Sequence, residues 1–302
     1  MNLNSGLPLI DLGVFAAVAE AGGFSAAARR LGVSKAMVST AVGRLETRLG
    51  VRLFQRTTRR LSLTEDGAAA LPHAQRALEA AQDAEDAATQ SRATPRGTLK
   101  VNAPMSFGLL HIVPALGDFA QAFPDVKVDL VLDDRVVDLV AGAFDVAVRI
   151  GVLSDSGLIA LRIGRNRSAL VAHADYLTRA GTPQKPADLA GHATLSYSLG
   201  ASDWVLQRGR CSETVKLRPV LQANSSLALQ QAALQGLGIA RLPLFVAGGD
   251  LAEGRLVPVL PDWHLPETPI HLVTPSREHL PRKTRAFIEF FRSRMDPPAW
   301  ER

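Results

Sequence analysis

One cysteine, Cys211, stands among the 302 residues, which excludes an intrachain disulfide and makes a reducing compartment the natural setting. A redox-sensing thiol would lack a resolving partner in the chain, so a plain structural or surface cysteine is the simpler reading. No run of about 18 apolar residues occurs, so a membrane-spanning helix is excluded on length. The opening MNLNSGLPLIDLG lacks the basic segment and long apolar core of an export signal, and a cytoplasmic protein with no membrane partner is expected. Marks of catalysis are missing as well. Gly236-Leu237-Gly238 has no third glycine of a dinucleotide fingerprint, and there is no phosphate loop and no GxSxG elbow. The seven histidines (73, 111, 173, 192, 264, 271 and 279) show no HxxxH spacing, so neither a metal site nor a cofactor is expected. The chain does not read as an enzyme.

What is present begins with charge placement. At 47% apolar and 21% charged residues the composition is that of a globular protein. The net charge is +5, yet residues 1–64 hold nine Lys or Arg against three acids, so the basic excess lies entirely there. Such confinement is the footprint of a phosphate-binding surface. Within it, FSAAARRLGVSKAMVSTAVGRLE (24–46) predicts two short helices and a tight turn. Ser25 is expected to cap the first, Gly32 to end it in a left-handed conformation, and Ser34 to cap the second. Val38, Val42, Leu45 and Leu49 define one apolar stripe. Ala36, Met37, Thr40, Gly43, Arg44 and Thr47 then face outward, as in a helix-turn-helix entering a major groove. The competing reading is an ordinary helical hairpin.

An opening helix over residues 8–21 packs below this unit in the predicted arrangement. Leu53-Phe54 and Leu61-Ser62-Leu63 bracket Arg56, Thr57, Thr58, Arg59 and Arg60, which suggests a two-stranded wing with a basic tip, or a solvated cationic loop. Thr64 caps a long Ala-rich helix in which Leu71, Ala74, Leu78, Ala81, Glu85 and Ala88 form a heptad-like seam. That seam serves pairing of two chains or packing within one. Pairing would set two reading heads on a dyad, so the expected target is double-stranded DNA with an inverted-repeat operator. Beyond a hinge at Ala93 to Gly97, strands at 99–103, 126–132, 144–150 and 219–223 alternate with helices, including one capped by Asp133 or Asp134 and one over 227–237. This is an α/β pattern with a largely parallel sheet.

The residues Phe24, Ser25, Ala27, Ala28, Leu31, Val38, Ser39, Leu45, Glu46, Leu49 and Gly50, followed by LFQRTTRRLSLTEDG, resemble the N-terminal domain of LysR-type transcriptional regulators. APMSFG, FPDVKVDL, FDVAVRIG, YLTRAGTPQKPADLAGH, QGLGIARLP and PRKTRAFIEFFRSR continue the resemblance. Thr40 and Ala41 stand where the family commonly has a long polar or basic residue. The resemblance implies an α plus α/β architecture: a winged helix-turn-helix at 1–64, a linker and dimerisation helix at 65–94, and an effector-binding regulatory domain at 95–302. The last is expected to be two-lobed like a periplasmic solute-binding protein, with lobe 1 at about 98–169 and 274–302 and lobe 2 at about 170–273. A transport component would account for the lobes alone but not for the basic head.

The expected DNA-binding residues are Ser25, Ser34, Lys35, Met37, Ser39, Thr40, Arg44, Arg56, Thr57, Arg59 and Arg60. Lys35 and Arg44 are the candidate base donors, and the serines and wing arginines position phosphates. In the cleft, Ser106, Asn224, Ser225 and Ser226 at helix starts and Arg149 are candidate anion ligands, with Phe107 and Trp204 as apolar walls. Plain caps, an Arg149–Asp145 ion pair and core aromatics are the alternatives. A small organic carboxylate, with an aromatic one included, is the expected effector of a homodimeric or homotetrameric regulator, and RNA polymerase is a further candidate partner.

Overall fold

The computed structural model describes residues 7–56, 61–88, 94–153, 157–200, 203–275 and 280–295. Two compact units divide the chain near Ala93, and each is described by itself. Among the described residues no single helix is long and apolar enough to cross a membrane.

The first unit opens with α1 (Leu9–Ala21), ended by Gly22 at φ 66°, the left-handed conformation that glycine adopts without a Cβ penalty. Then come α2 (Phe24–Leu31), stopped by Gly32 at φ 66°, and α3 (Lys35–Leu49). The Ser34 hydroxyl accepts the Met37 N–H at 3.2 Å, so the expected cap on α3 is present. Ser25 does not cap α2: the helix begins one residue earlier, at Phe24, with Gly23 as its cap, and leaves Ser25 exposed in the first turn. Strands β1 (Phe54–Arg56) and β2 (Leu61–Leu63) pair antiparallel, giving the wing its base.

Helix α4 (Glu65–Ala88) starts where the Thr64 hydroxyl accepts the Gly67 N–H at 2.9 Å. Phe15, Val18, Val38, Val42, Leu45, Leu53, Phe54 and Ala74 form the buried core, with Leu71 packed against it. Phe15 and Phe24 each meet the Phe54 ring edge-on, at 5.4 and 5.8 Å, a favoured aromatic geometry. Leu71 and Ala74 therefore pack within their own chain, so the first half of the seam is not a free pairing face.

The second unit holds two five-stranded sheets. In the first, β3 (Gly97–Ala103) pairs parallel with β4 (Val126–Leu132) and β5 (Val146–Ile150). Strand β14 (Thr268–Thr274) then inserts antiparallel between β5 and β6 (Ile159–Asn166). In the second, β8 (Thr194–Tyr197) pairs parallel with β11 (Pro219–Ala223) and β12 (Ile239–Pro243). There β7 (Ser168–Ala172) lies antiparallel to β12 and β13 (Val257–Val259). The sheets are thus mixed rather than largely parallel, because the chain crosses between lobes and each crossing brings in a reversed strand. One crossing is at Arg167; the return strand begins at Thr268, not at the expected 274.

Helices cover the sheets. Met105–Phe107 (α5), a wide turn at Gly108–Ile112 and α6 (Val113–Ala122) run in series on the first lobe with α10 (Arg282–Arg294). Residues Ala174–Ala180 (α7), Ser226–Leu234 (α8) and Leu244–Ala252 (α9) belong to the second half of the chain. Helix α8 ends three residues before the expected Leu237. No helix forms after Asp133. There Asp133 accepts the Arg135 N–H at 2.9 Å, Asp138 accepts that of Val140 at 2.8 Å, and Ala143 sits at φ 54°. Short acidic side chains that bond nearby backbone compete with a helix and here prevail. A hairpin that the sequence reading did not anticipate, β9 (Asp203–Arg208) and β10 (Cys211–Lys216), turns at Gly209 with φ 58°.

Candidate nucleic-acid interface and ligand cleft

In the first unit Val38, Ala41, Val42 and Leu45 hold α3 down, and the periodicity of 3.6 leaves the opposite face outward. Lys35, Ala36, Met37, Thr40, Arg44 and Thr47 are all exposed, Met37 by 60%; Ser39 and Gly43 are half-buried. The expected surface is therefore assembled on one helix face. Glu46 fixes the wing to this helix by accepting the Leu53 and Phe54 N–H groups at 2.8 and 3.3 Å. Arg56 ends β1, while Thr57, Arg59 and Arg60 lie outside the described residues.

Arg44 is not the independent donor the sequence suggested. Its Nε and Nη2 donate to the two carboxylate oxygens of Asp11, at 3.1 and 2.6 Å. Asp11 is 2% exposed at its side chain, against 61% for Arg44. A fork-on-fork pair of this kind fixes the guanidinium plane, and it ties α3 to α1. Sequence reasoning missed Asp11, whose signal was a lone acid among the apolar residues of α1.

In the second unit a cavity of about 380 Å³ is lined from both lobes. Of the expected effector residues it is met by Ser106, Phe107, Trp204 and Ser226. Ser106 is no cap; Pro104 takes that place. The serine is 4% exposed and its hydroxyl has no hydrogen-bond partner among the described residues. Phe107 meets the Phe245 ring edge-on at 5.4 Å, and both line the cavity with Trp204. Ser225 caps α8 through the Ala228 N–H at 3.4 Å and Asn224 is exposed; neither lines the cavity.

Arg149 does not line it either. Its guanidinium turns into the first lobe, donating to Asn102 Oδ1 at 2.5 Å and to the carbonyls of Val148 and Val137, each at 3.2 Å. Burial lowers its pKa, opposed by the charge of Asp133. The alternative pairing with Asp145 is not formed: Asp145 receives Lys283 Nζ at 3.4 Å instead.

The charged groups in the cavity are Arg241, on β12, and Asp134, in the turn after β4. Arg241 has no hydrogen-bond or ion-pair partner among the described residues, and burial depresses its pKa. Burial raises the Asp134 pKa, opposed by the Tyr197 hydroxyl of the second lobe and the Met105 N–H of the first, and burial together with the Asp134 charge raises that of Tyr197. Asn166 donates to Thr268 Oγ1 at 3.1 Å where the strands cross between lobes, leaving its Oδ1 unpaired among the described residues. A space of this size with aromatic walls and few convergent polar groups is the usual form of a small-molecule site. Among the described residues no group of His, Cys, Asp or Glu is placed to hold a metal ion.

Comparison with known proteins agrees with both units. Residues 9–68 match the model described as bacterial regulatory helix-turn-helix protein, lysR family, and residues 92–296 match the LysR substrate binding domain. The chain is 39% identical over 294 residues to the HTH-type transcriptional regulator PtxR of Pseudomonas aeruginosa, covering 96% of this chain and 93% of that protein. The solved structure of CrgA, a LysR-type transcriptional regulator from Neisseria meningitidis, is similar with a TM-score of 0.63 and 34% identity over 95% of this chain and 98% of that one. The full-length Vibrio cholerae virulence activator AphB gives 0.61 and 28%, over 94% and 98%.

Proposed function

Because the chain belongs to the LysR family of DNA-binding transcriptional regulators, which are not enzymes, we propose that its effector is an organic carboxylate gripped by Arg241 in the cleft between the lobes. The observation that carries this reading is a half-buried guanidinium that lines a cavity and has no partner among the described residues. Arg offers five N–H donors in a planar fork that matches a carboxylate, and a buried, unpaired cation is costly. Phe107, Phe245 and Trp204 favour an aromatic or otherwise apolar body.

On the DNA side, Lys35 is the exposed donor of α3, with Met37 and Thr40 suited to apolar contact with thymine methyls. Ser25, Ser34, Ser39 and the wing residues Arg56, Thr57, Arg59 and Arg60 position phosphates. Arg44 orients α3 through Asp11 and keeps one amino group for the duplex. Two copies acting in the cytoplasm on an inverted repeat complete the reading. Ligand binding shifts the balance between two arrangements of the effector units, which requires different affinity for each.

The test is benzoate titrated against the whole chain, native and Arg241→Met, followed by calorimetry and by anisotropy of a labelled operator duplex. Arg241-dependent binding that changes operator affinity is the expected result. Benzoate binding that survives Arg241→Met removes the carboxylate anchor and leaves the family assignment untouched.

A further inference from the structure

The cleft holds a second pole. We infer that the effector also carries a hydrogen-bond donor, a hydroxyl or amino group, which Asp134 accepts, and that Asp134 thereby sets specificity. This rests on the carboxylate reading of the same cleft. A carboxylate offers about four lone-pair positions, and the two donors beside Asp134, the Met105 N–H and the Tyr197 hydroxyl, fill at most two of them. The rest of its capacity belongs to a group that lines the cavity. Arg241 lines it too, yet no ion pair joins the two. They stand apart in one space, each short of partners of the opposite kind. A ligand with only an anionic group satisfies Arg241 and leaves Asp134 desolvated, which is the more costly arrangement. A ligand with an acid at one end and a donor at the other satisfies both.

The two poles lie on different lobes. Asp134 follows β4 in the first lobe, and Arg241 sits on β12 in the second. A bifunctional ligand therefore spans the cleft and couples its own binding to the spacing of the lobes. Monofunctional ligands hold one lobe only.

The experiment uses the full chain and five probes: benzoate, phenol, and 2-, 3- and 4-hydroxybenzoate, measured by isothermal titration calorimetry. At least one hydroxybenzoate should bind about tenfold or more tightly than benzoate, the usual worth of a hydrogen bond to a charged group. Asp134→Ala should abolish that advantage and raise benzoate affinity, because the carboxylate that benzoate leaves desolvated is gone. Tyr197→Phe, which removes a competing donor without removing the acceptor, should preserve the advantage. Should Asp134→Ala fail to fold, Asp134→Leu, similar in size and without an acceptor, reads the same loss. Equal affinity of benzoate and all three isomers, with binding still lost in Arg241→Met, overturns the donor inference and leaves the carboxylate anchor standing. Phenol binding as tightly as the acids overturns the anchor itself. No binding by any probe up to about 10 mM overturns both.

Discussion

Gly67→Ala should destabilise the DNA-binding unit even though it replaces glycine by the best helix former. A Cβ at Gly67 would stand 2.1 Å from the Leu53 carbonyl oxygen and 2.9 Å from its carbon. Non-bonded heavy atoms settle near about 3.5 Å, so α4 must retreat from the wing by about 1 Å. That retreat pulls on the Thr64 N–H bond to the Leu53 carbonyl, 3.0 Å, and on the Ala74 contact with the core. Overpacking of this kind costs about 1–3 kcal/mol, and a strained or lost hydrogen bond about 1 kcal/mol more. The intrinsic gain of Ala over Gly, about 1 kcal/mol, offsets only part. A net loss of about 2 kcal/mol lowers the melting temperature of a unit this size by roughly 10 °C. Differential scanning calorimetry of the whole chain measures it, the relevant transition being the one that duplex DNA shifts upward. Gly43→Ala supplies the control, because that glycine also lies inside a helix but a Cβ there meets nothing within 4 Å. It should raise the same transition, by about 1 kcal/mol. The reasoning is refuted if Gly67→Ala melts at or above the native protein, or if the two variants shift together.

Loss of the Ser34 cap in Ser34→Ala should cost about 1 kcal/mol, read in the same transition. Asp11→Ala and Arg44→Ala should each weaken operator binding roughly tenfold, and the double variant no further, since the pair acts as one unit; additive losses in anisotropy titrations would separate them. Arg59→Ala should weaken all duplex sequences about equally and reduce the salt slope by about one, as a phosphate contact does. Burial holds the His111 imidazole below its usual pKa, with the Phe245 carbonyl opposing. A base depressed in the folded state contributes stability that is present above the unfolded pKa of about 6.5 and drains as pH falls from there toward the folded value. His111→Gln keeps a donor for the Phe245 carbonyl and should lessen the drop in melting temperature of the effector unit between pH 7 and pH 5; an unchanged slope would exclude His111 as its source.

What was legible in the chain was local. The Ser34 cap, the turn at Gly32, the Thr64 start and three members of the expected stripe, Val38, Val42 and Leu45, each depend on residues within one or two turns of each other and are present, whereas the fourth, Leu49, is exposed at the end of α3. The outward face of α3 follows from the same periodicity. Pairings across long separations were not legible. Asp11 and Arg44 are 33 residues apart, and nothing in either neighbourhood names the other. The absent helix after Asp133 is a local competition that propensity alone misjudges, because it turns on which backbone N–H groups the side chains of Asp133 and Asp138 capture.

The cleft shows why one strand arginine belongs to the site and another does not. Successive side chains of a strand point to opposite faces. On β5, Ile150 lines the cavity, so its neighbour Arg149 must point the other way, to Asn102 and the Val137 carbonyl. On β12, Arg241 and Pro243 share one parity and both line the cavity, while Ala240 and Leu242, of the other parity, are buried in the core beneath the second sheet. FDVAVRI and GIARLP each place one arginine late in an apolar strand, and composition cannot rank them. Parity can, once a single residue of each strand is known to face the cleft. We therefore assign the proposed anion-binding role to Arg241 rather than Arg149, whose guanidinium donates instead to Asn102 and to the Val137 carbonyl in the segment after Asp134.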